Sequence, residues 1–251
     1  MTNSLDALRT STARLRRIVE PLGPEQLSAQ SYDAEWSVAD VLSHLGSGAV
    51  IMHRRIDANL EGVEVAPDFA NPIWDEWNAK SPEAKSADSL RADVALTDRF
   101  DSLTDEQRSR LVVSMGPVQF DFEHFVGARL NEHVLHTWDI EVAFEPNATV
   151  PAEAARFVVD NLAMIVQYTG KPTGAERDVH VRTVDPARRF TLSLGADGVA
   201  LVADAGDSVP DLELPAEAFA RLVYGRLDAA HTPPFRGTAD LDELRRVFPA
   251  V

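Results

Sequence analysis

The sequence predicts an α+β protein in which a helical bundle, residues 1–170, is followed by a small α+β module, residues 171–251. Apolar residues recur at helical spacing through the first two-thirds of the chain. After Thr169 and Gly170 the pattern changes to short alternating runs separated by Gly, Asp and Pro, which are typical of strands. Two amphipathic segments follow these runs, as expected of a module that combines a sheet with helices.

The composition is that of a globular protein. Of the 251 residues, 45% are apolar and 25% are charged, which gives no reason to expect disorder or fibres. No run approaches the roughly 18 apolar residues that a membrane span requires. Residues 1–17 lack the continuous apolar core of a signal peptide. We therefore expect a cytoplasmic protein with one large domain or two smaller ones.

Charge and cysteine content exclude several classes of function. A net charge of −16 disfavours nucleic acid as a partner, because affinity for the phosphate backbone comes mainly from Lys and Arg. It leaves anionic small molecules open, since these need only a local arginine. The chain contains no cysteine, so it has no disulfide, no thiolate metal ligand and no cysteine nucleophile. Any thiol chemistry must use a thiol from outside the chain.

Five helices are predicted in the bundle. Apolar residues between Leu5 and Leu22 define the first. The second begins at a capping box formed by Ser37 and Asp40, and an apolar stripe continues from it to Leu60. The others are predicted at about 83–103, 120–144 and 151–168.

The segment 61–82 is predicted to be a long connection with one short turn, because it holds three prolines and two tryptophans. Long connections in compact domains are often functional or lid-like. In the second module, the strands and the two amphipathic segments are predicted at Val179–Val184, Arg189–Leu194, Val199–Ala203, Ala216–Tyr224 and Leu241–Phe248.

The fourth predicted helix carries a stripe of polar residues. At about 100° per residue, one sector roughly 80° wide holds six side chains. They are Phe125, Arg129, Glu132, His136, Asp139 and Ala143. Apolar residues border the sector on both sides, which favours a position inside the bundle. The alternative is that the stripe faces water while only its flanks pack.

Three side chains are of the types that bind divalent metal ions. Glu132 and His136 are four residues apart, so a carboxylate oxygen and an imidazole nitrogen lie side by side on one helix. His44 lies on the flank of the apolar stripe of the second helix, where Gly46 and Gly48 permit close approach of another element. A lone histidine there would be a boundary residue. Three donors on two helices instead predict a divalent metal, with zinc preferred and Ni, Co, Mn or Fe also compatible.

The other histidines lack comparable partners at helical spacing. They are predicted to be surface or boundary residues, and they are His53, His124, His133, His180 and His231.

Three stretches resemble the mycothiol-dependent maleylpyruvate isomerase family. They are EWSVADVLSHL at 35–45, RLNEHVLHTWD at 129–139 and the short Tyr224-Gly225-Arg226. The resemblance implies a DinB-like four-helix bundle followed by a C-terminal domain similar to sterol-carrier proteins. It also implies zinc on His44, Glu132 and His136 with an open fourth position, mycothiol as cofactor and a small-molecule substrate.

The chemistry that the resemblance implies is thiol addition. In an isomerase, a thiolate adds to a cis double bond conjugated to a carbonyl, the resulting single bond rotates, and elimination gives the trans product. In an S-transferase the adduct is released. Two further alternatives stay open: a non-enzymatic small-molecule binding protein with a structural zinc, and a thiol-independent zinc hydrolase. The sequence allows a monomer or a homodimer.

Three more residues are candidates for catalytic roles. Asp139 and Arg129 share the sector of the ligands, so they are predicted to support the metal or to face the substrate. Arg226, through the resemblance, is implied to reach the mouth of the metal site and bind an anionic substrate. The alternative is that Arg226 caps the helix ending near Tyr224.

Overall fold

A computed structural model describes residues 3–116 and 118–250, which form two compact units, Met1–Glu145 and Pro146–Val251. The first unit is mainly helical and the second contains a five-stranded sheet. This confirms the predicted α+β class.

The first unit is built on four long helices. In chain order its elements are α1 (Ser4–Val19), α2 (Pro24–Leu27), α3 (Val38–Glu61), α4 (Asn71–Asn78), α5 (Pro82–Ser102), α6 (Asp105–Arg110), β1 (Val113–Met115), β2 (Val118–Phe120) and α7 (Phe122–Glu141). Helix α3 packs against α5 and α7, and α1 packs against the same two helices. Buried apolar side chains such as Leu15, Leu42 and Ile140 fill the space between them.

Side-chain caps fix where the long helices begin. The Ser37 hydroxyl accepts a hydrogen bond from the Asp40 N–H at 3.2 Å, and the Asp40 carboxylate accepts one from the Ser37 N–H at 3.1 Å. This is the predicted capping box. Asp121 caps α7 by accepting from the His124 N–H. The antiparallel hairpin β1–β2, which was not predicted, occupies the residues before that cap, so α7 begins later than expected.

The connection after α3 contains a helix that is packed closely on α3. Gly46 faces the Trp77 ring, and a Cβ atom on Gly46 would lie 2.2 Å from two ring carbons. The Ser43 hydroxyl donates a hydrogen bond to the Asn78 side-chain oxygen at 3.1 Å. Ile73 and Trp77 are both buried, together with Ile51 of α3. Helix α4 therefore takes the place of the short turn that was predicted.

The second unit is a mixed sheet with helices. Its elements are α8 (Ala152–Asp160), α9 (Leu162–Thr169), β3 (Arg177–Val184), β4 (Arg188–Leu194), β5 (Val199–Ala203), β6 (Leu212–Pro215), α10 (Ala216–Val223), β7 (Arg236–Gly237) and α11 (Leu241–Val247). The strand order is β5-β4-β3-β6-β7. Strands β3 and β6 are parallel, and the other neighbouring pairs are antiparallel. Strands β6 and β7 were not predicted.

The boundary between the units differs from the prediction. It lies at Glu145 and Pro146 rather than at residue 170. The predicted fifth helix is divided at Asn161 into α8 and α9, which pack against α10 and β5 respectively. The pattern change near Gly170 therefore marks the start of the strands and not the end of the first unit.

Each of the four long helices of the first unit carries charged residues. The longest, α3, has 24 residues and includes Asp40, Arg54 and Asp57. Within 3–116 and 118–250, no helix combines the length and apolar character needed to cross a bilayer.

Replacing Gly46 by Ala is expected to lower the free energy of unfolding by about 1–3 kcal/mol, because the added methyl group overlaps the buried Trp77 ring. Urea denaturation would measure the change. Gly23→Ala is the matched control, since its Cβ would meet nothing nearer than 4.0 Å. A Gly46→Ala protein as stable as the wild type would contradict the packing of α4 on α3.

Candidate metal centre

Helices α3 and α7 bring three ligand-type side chains together. His44 lies two turns after the Ser37 cap, and Glu132 and His136 lie on successive turns of α7. The Glu132 Oε2 atom is 3.2 Å from His44 Nε2 and 3.6 Å from His136 Nε2. One ligand atom from each residue falls within 4.8 Å of the other two. The two predicted helices therefore do bring the three donors into one cluster.

Two of the three separations between the ligand-type atoms are close to those in a tetrahedral zinc site. With metal–ligand distances of about 2.1 Å, two ligands of a tetrahedral ion lie about 3.4 Å apart. The two contacts of Glu132 lie on either side of that value. The side chains of His44 and Glu132 are 38% and 48% exposed, whereas that of His136 is 10% exposed. The cluster thus has a solvent-facing side where a further ligand could approach.

Asp139 contacts the least exposed of the three ligand-type residues. Its Oδ2 atom lies 2.9 Å from His136 Nδ1, and the Asp139 side chain is fully buried. A hydrogen bond from Nδ1–H to this carboxylate leaves the Nε2 lone pair directed toward Glu132. Carboxylates hold metal-binding histidines in this way. The position of Asp139 suits the supporting role that the helical sector predicted.

The pKa shifts of His44 and Glu132 favour the protonation states in which these side chains can bind a metal ion. Burial lowers the pKa of His44, and this outweighs the opposing effect of its hydrogen bond with Glu132. Burial raises the pKa of the Glu132 carboxyl, but hydrogen bonds and charge interactions with His136 and His44 lower it well below its usual range. A neutral imidazole and an ionised carboxylate are the forms that bind metal.

Trp36 forms an aromatic wall beside the two histidines. Its ring lies nearly parallel to that of His136, with centroids 5.9 Å apart. The same ring is tilted against His44 at 5.2 Å. Ser31 holds the Trp36 backbone in place, because its N–H and its hydroxyl both donate hydrogen bonds to the Trp36 carbonyl. In the sequence, Trp36 was notable only as part of the stretch at 35–45. Its contact with the rings of His44 and His136 could not be predicted, because that contact depends on tertiary packing.

The N-terminal part of the chain matches a known family. Residues 8–141, more than half of the chain, match the family model described as the mycothiol maleylpyruvate isomerase N-terminal domain. The chain belongs to the mycothiol maleylpyruvate isomerase family. No curated protein sequence gives a significant match.

Two solved structures share the fold of this family member. They are crystal structures of the mycothiol-dependent maleylpyruvate isomerase and of a histidine-to-alanine mutant of it. Each is 17% identical to the present chain, with a TM-score of 0.65 over 90% of this chain and 92% of the other. The similarity extends through both units and is a similarity of fold.

Arg129 occupies a different position from the one expected of a substrate-contacting residue. In this family member its guanidinium is buried, with Nη2 2.5 Å from Asp93 Oδ1 and 2.9 Å from the Leu45 carbonyl oxygen. Because these partners occupy the guanidinium in the bundle interior, a direct catalytic role is not supported. A supporting role remains.

The environment of His133 was wrongly predicted, and it bears on the candidate metal centre. His133 was expected at the surface or boundary, but it is fully buried. Its Nε2 lies 3.1 Å from Asp93 Oδ2, and its Nδ1 lies 2.8 Å from the Ser11 hydroxyl. Asp93, Arg129, His133 and Ser11 form what we call the Asp93 cluster. Helical spacing could not identify it, because its members belong to three different helices.

Arg226 belongs to the second unit of this family member. It is 7% exposed and follows Gly225, whose φ of +71° ends α10 in a turn that other residues rarely adopt. Its Nη1 donates a hydrogen bond to the Tyr224 carbonyl at 2.9 Å. This contact is the helix-end interaction that was considered as the alternative to substrate binding.

Replacing Glu132 by Gln is expected to lower the pKa of His44 further in metal-free protein. The carboxylate stabilises the protonated imidazole through a hydrogen bond and charge interaction, and an amide removes the charge. NMR titration of the His44 ring would measure the change. Glu106→Gln, at an exposed carboxylate on α6, is the control and leaves that titration unchanged. A rise in the His44 pKa in Glu132→Gln would contradict the proximity of the two groups.

Proposed function

We propose that this protein is a zinc-dependent enzyme that uses mycothiol to isomerise a small anionic substrate similar to maleylpyruvate. The observation that carries the proposal is the convergence of His44, Glu132 and His136 in a member of the mycothiol maleylpyruvate isomerase family. The absence of cysteine supports an external thiol, since the chain offers no thiol of its own.

The three ligand residues are suited to hold zinc. When bound, zinc and mycothiol together would supply a thiolate, the nucleophilic form of a thiol. His44 and Glu132 have lowered pKa values, so near neutral pH they bind a cation without first releasing protons. Asp139 fixes the orientation of His136 through Nδ1. Trp36 lies beside both imidazoles and lines one side of the cluster with an apolar surface.

Arg226 is proposed to bind an anionic group of the substrate. A guanidinium can form two parallel charge-assisted hydrogen bonds with a carboxylate. A protein with a net charge of −16 repels anions overall, so a local cation is needed to bind one. The contact of Arg226 with the Tyr224 carbonyl holds part of the guanidinium in place, which reduces the conformational entropy lost on binding.

We expect one zinc ion per chain in purified protein, and turnover that requires added mycothiol. His44→Ala, Glu132→Ala and His136→Ala should each lose the metal while helical content largely persists, because these residues supply the donors. Elemental analysis, circular dichroism and an assay against a panel of electrophiles measure the three properties. Metal affinity should fall with decreasing pH as protons compete for the donors.

The matched control is His124→Ala, an exposed histidine on α7. It should retain both metal and turnover. Wild-type protein that contains no zinc and cannot be loaded by dialysis would overturn the metal centre. Turnover without thiol would favour the zinc hydrolase, and release of a stable thiol adduct would favour the S-transferase. Binding of electrophiles with no turnover would favour a binding protein.

Arg226→Lys is expected to raise KM for an anionic substrate at least 10-fold, because lysine keeps the charge but loses the planar pair of donors. Zinc content should stay near that of the wild type, because Arg226 is not among the metal-ligand residues. Steady-state kinetics measure the effect, and Arg236→Lys at an exposed position of the same unit is the control. Undiminished activity in both Arg226→Lys and Arg226→Ala would rule out substrate binding by Arg226.

A further inference from the structure

We propose that Asp93 and Arg129 are positioning residues that hold α7 against α3 at the level of the metal ligands. The inference rests on the metal binding proposed above and concerns residues that do not themselves ligate. It assigns a role to the Asp93 cluster, which is buried beside the centre and which the proposed chemistry does not use.

Asp93 is a fixed anion inside the bundle. Its side chain is 1% exposed, and its two oxygens contact different partners, Arg129 and His133. Burial raises the pKa of the Asp93 carboxyl, but its interactions with His133 and Arg129 more than offset this, so the pKa lies below its ordinary value. A buried carboxylate without partners would be costly, so Asp93 constrains where both partners can lie.

Arg129 connects the Asp93 carboxylate to α3, the helix that carries His44. The Arg129 Nη2 atom contacts both Asp93 Oδ1 and the carbonyl oxygen of Leu45, the residue that follows His44. Gly48, one turn further along α3, leaves room for the guanidinium, since a Cβ there would lie 3.2 Å from Nη1. The guanidinium thus links α5, α7 and α3, and its contact on α3 is with the residue next to His44.

His133, the other partner of Asp93, connects α7 to α1. His133 Nδ1 contacts the Ser11 hydroxyl at 2.8 Å, while Nε2 contacts Asp93. Arg129 and His133 lie on either side of Glu132 in the chain. The turn of α7 that supplies Glu132 is therefore tied to three other helices by buried polar contacts. Ligands held by such supporting contacts keep the geometry a metal needs without reorganisation.

The competing explanation is that the Asp93 cluster stabilises the bundle and has no influence on the metal. Buried ion pairs often contribute little net stability, although removing one partner destabilises a protein. The two explanations differ in what they predict for a variant that remains folded. Under the positioning role, metal affinity and coordination geometry change even where the stability of the metal-free protein is restored or unaffected.

The test measures Co²⁺ binding to metal-free protein by competition with a chelator, together with the Co²⁺ absorption spectrum and the Tm of the metal-free protein. Arg129→Lys and Asp93→Asn should weaken affinity about 10- to 100-fold and alter the spectrum. Leu96→Ala, a buried apolar truncation one turn from Asp93 on α5, is the matched control. It should lower Tm without changing the spectrum or the affinity of the folded protein.

Gly48→Ala provides a milder variant in case the polar substitutions do not fold. Alanine has a higher helix propensity than glycine, while its Cβ would displace the Arg129 guanidinium by a few tenths of an ångström. A weaker affinity and altered spectrum at an undiminished Tm would support the positioning role. Wild-type affinity and spectrum in Arg129→Lys and Gly48→Ala would overturn it while leaving the metal centre intact. A wild-type protein that binds no Co²⁺ or Zn²⁺ would overturn both.

Discussion

The candidate centre depends on the contact between α3 and α7, where the Glu132 carboxylate lies against the imidazoles of His44 and His136. His44 and Glu132 are 88 positions apart in the chain, so only tertiary packing can bring them together. That packing comes from apolar side chains of α3 such as Leu42 and Leu45, which are completely buried. Burial of each such side chain contributes roughly 1.5–3 kcal/mol, so several of them together stabilise the packing of α3 in the bundle.

Most secondary structure could be predicted from the sequence because its determinants are local. The capping box at Ser37, the apolar stripe of α3 and the alternation in β3 to β5 depend only on neighbouring residues. The boundary at Glu145 could not be predicted, because it depends on what α8 and α9 pack against. Strand β7 has two residues, which is too short for a periodic signal.

The candidate site, too, could be predicted from the sequence only in part. The spacing of Glu132 and His136 predicted that one helix would present two donors together, and the cluster in the structure includes both. The environments of His133 and Arg129 could not be predicted along α7, because their shared partner lies on α5. One signal was available, however. Asp93 falls on the helical stripe that also contains Ser89, Leu96 and Phe100, all buried, so a carboxylate there required a partner.

The packing of Trp77 against Gly46 limits the routes by which a small molecule can reach the candidate metal centre. The Trp77 side chain is 4% exposed, and an aromatic residue of this kind removes about 150–250 Å² from water, equivalent to roughly 4–6 kcal/mol. The connection after α3 is therefore a poor gate. The exposed side of the cluster is formed by His44 and Glu132, whose side chains are 38% and 48% exposed, so a small ligand can approach these two residues without detaching α4.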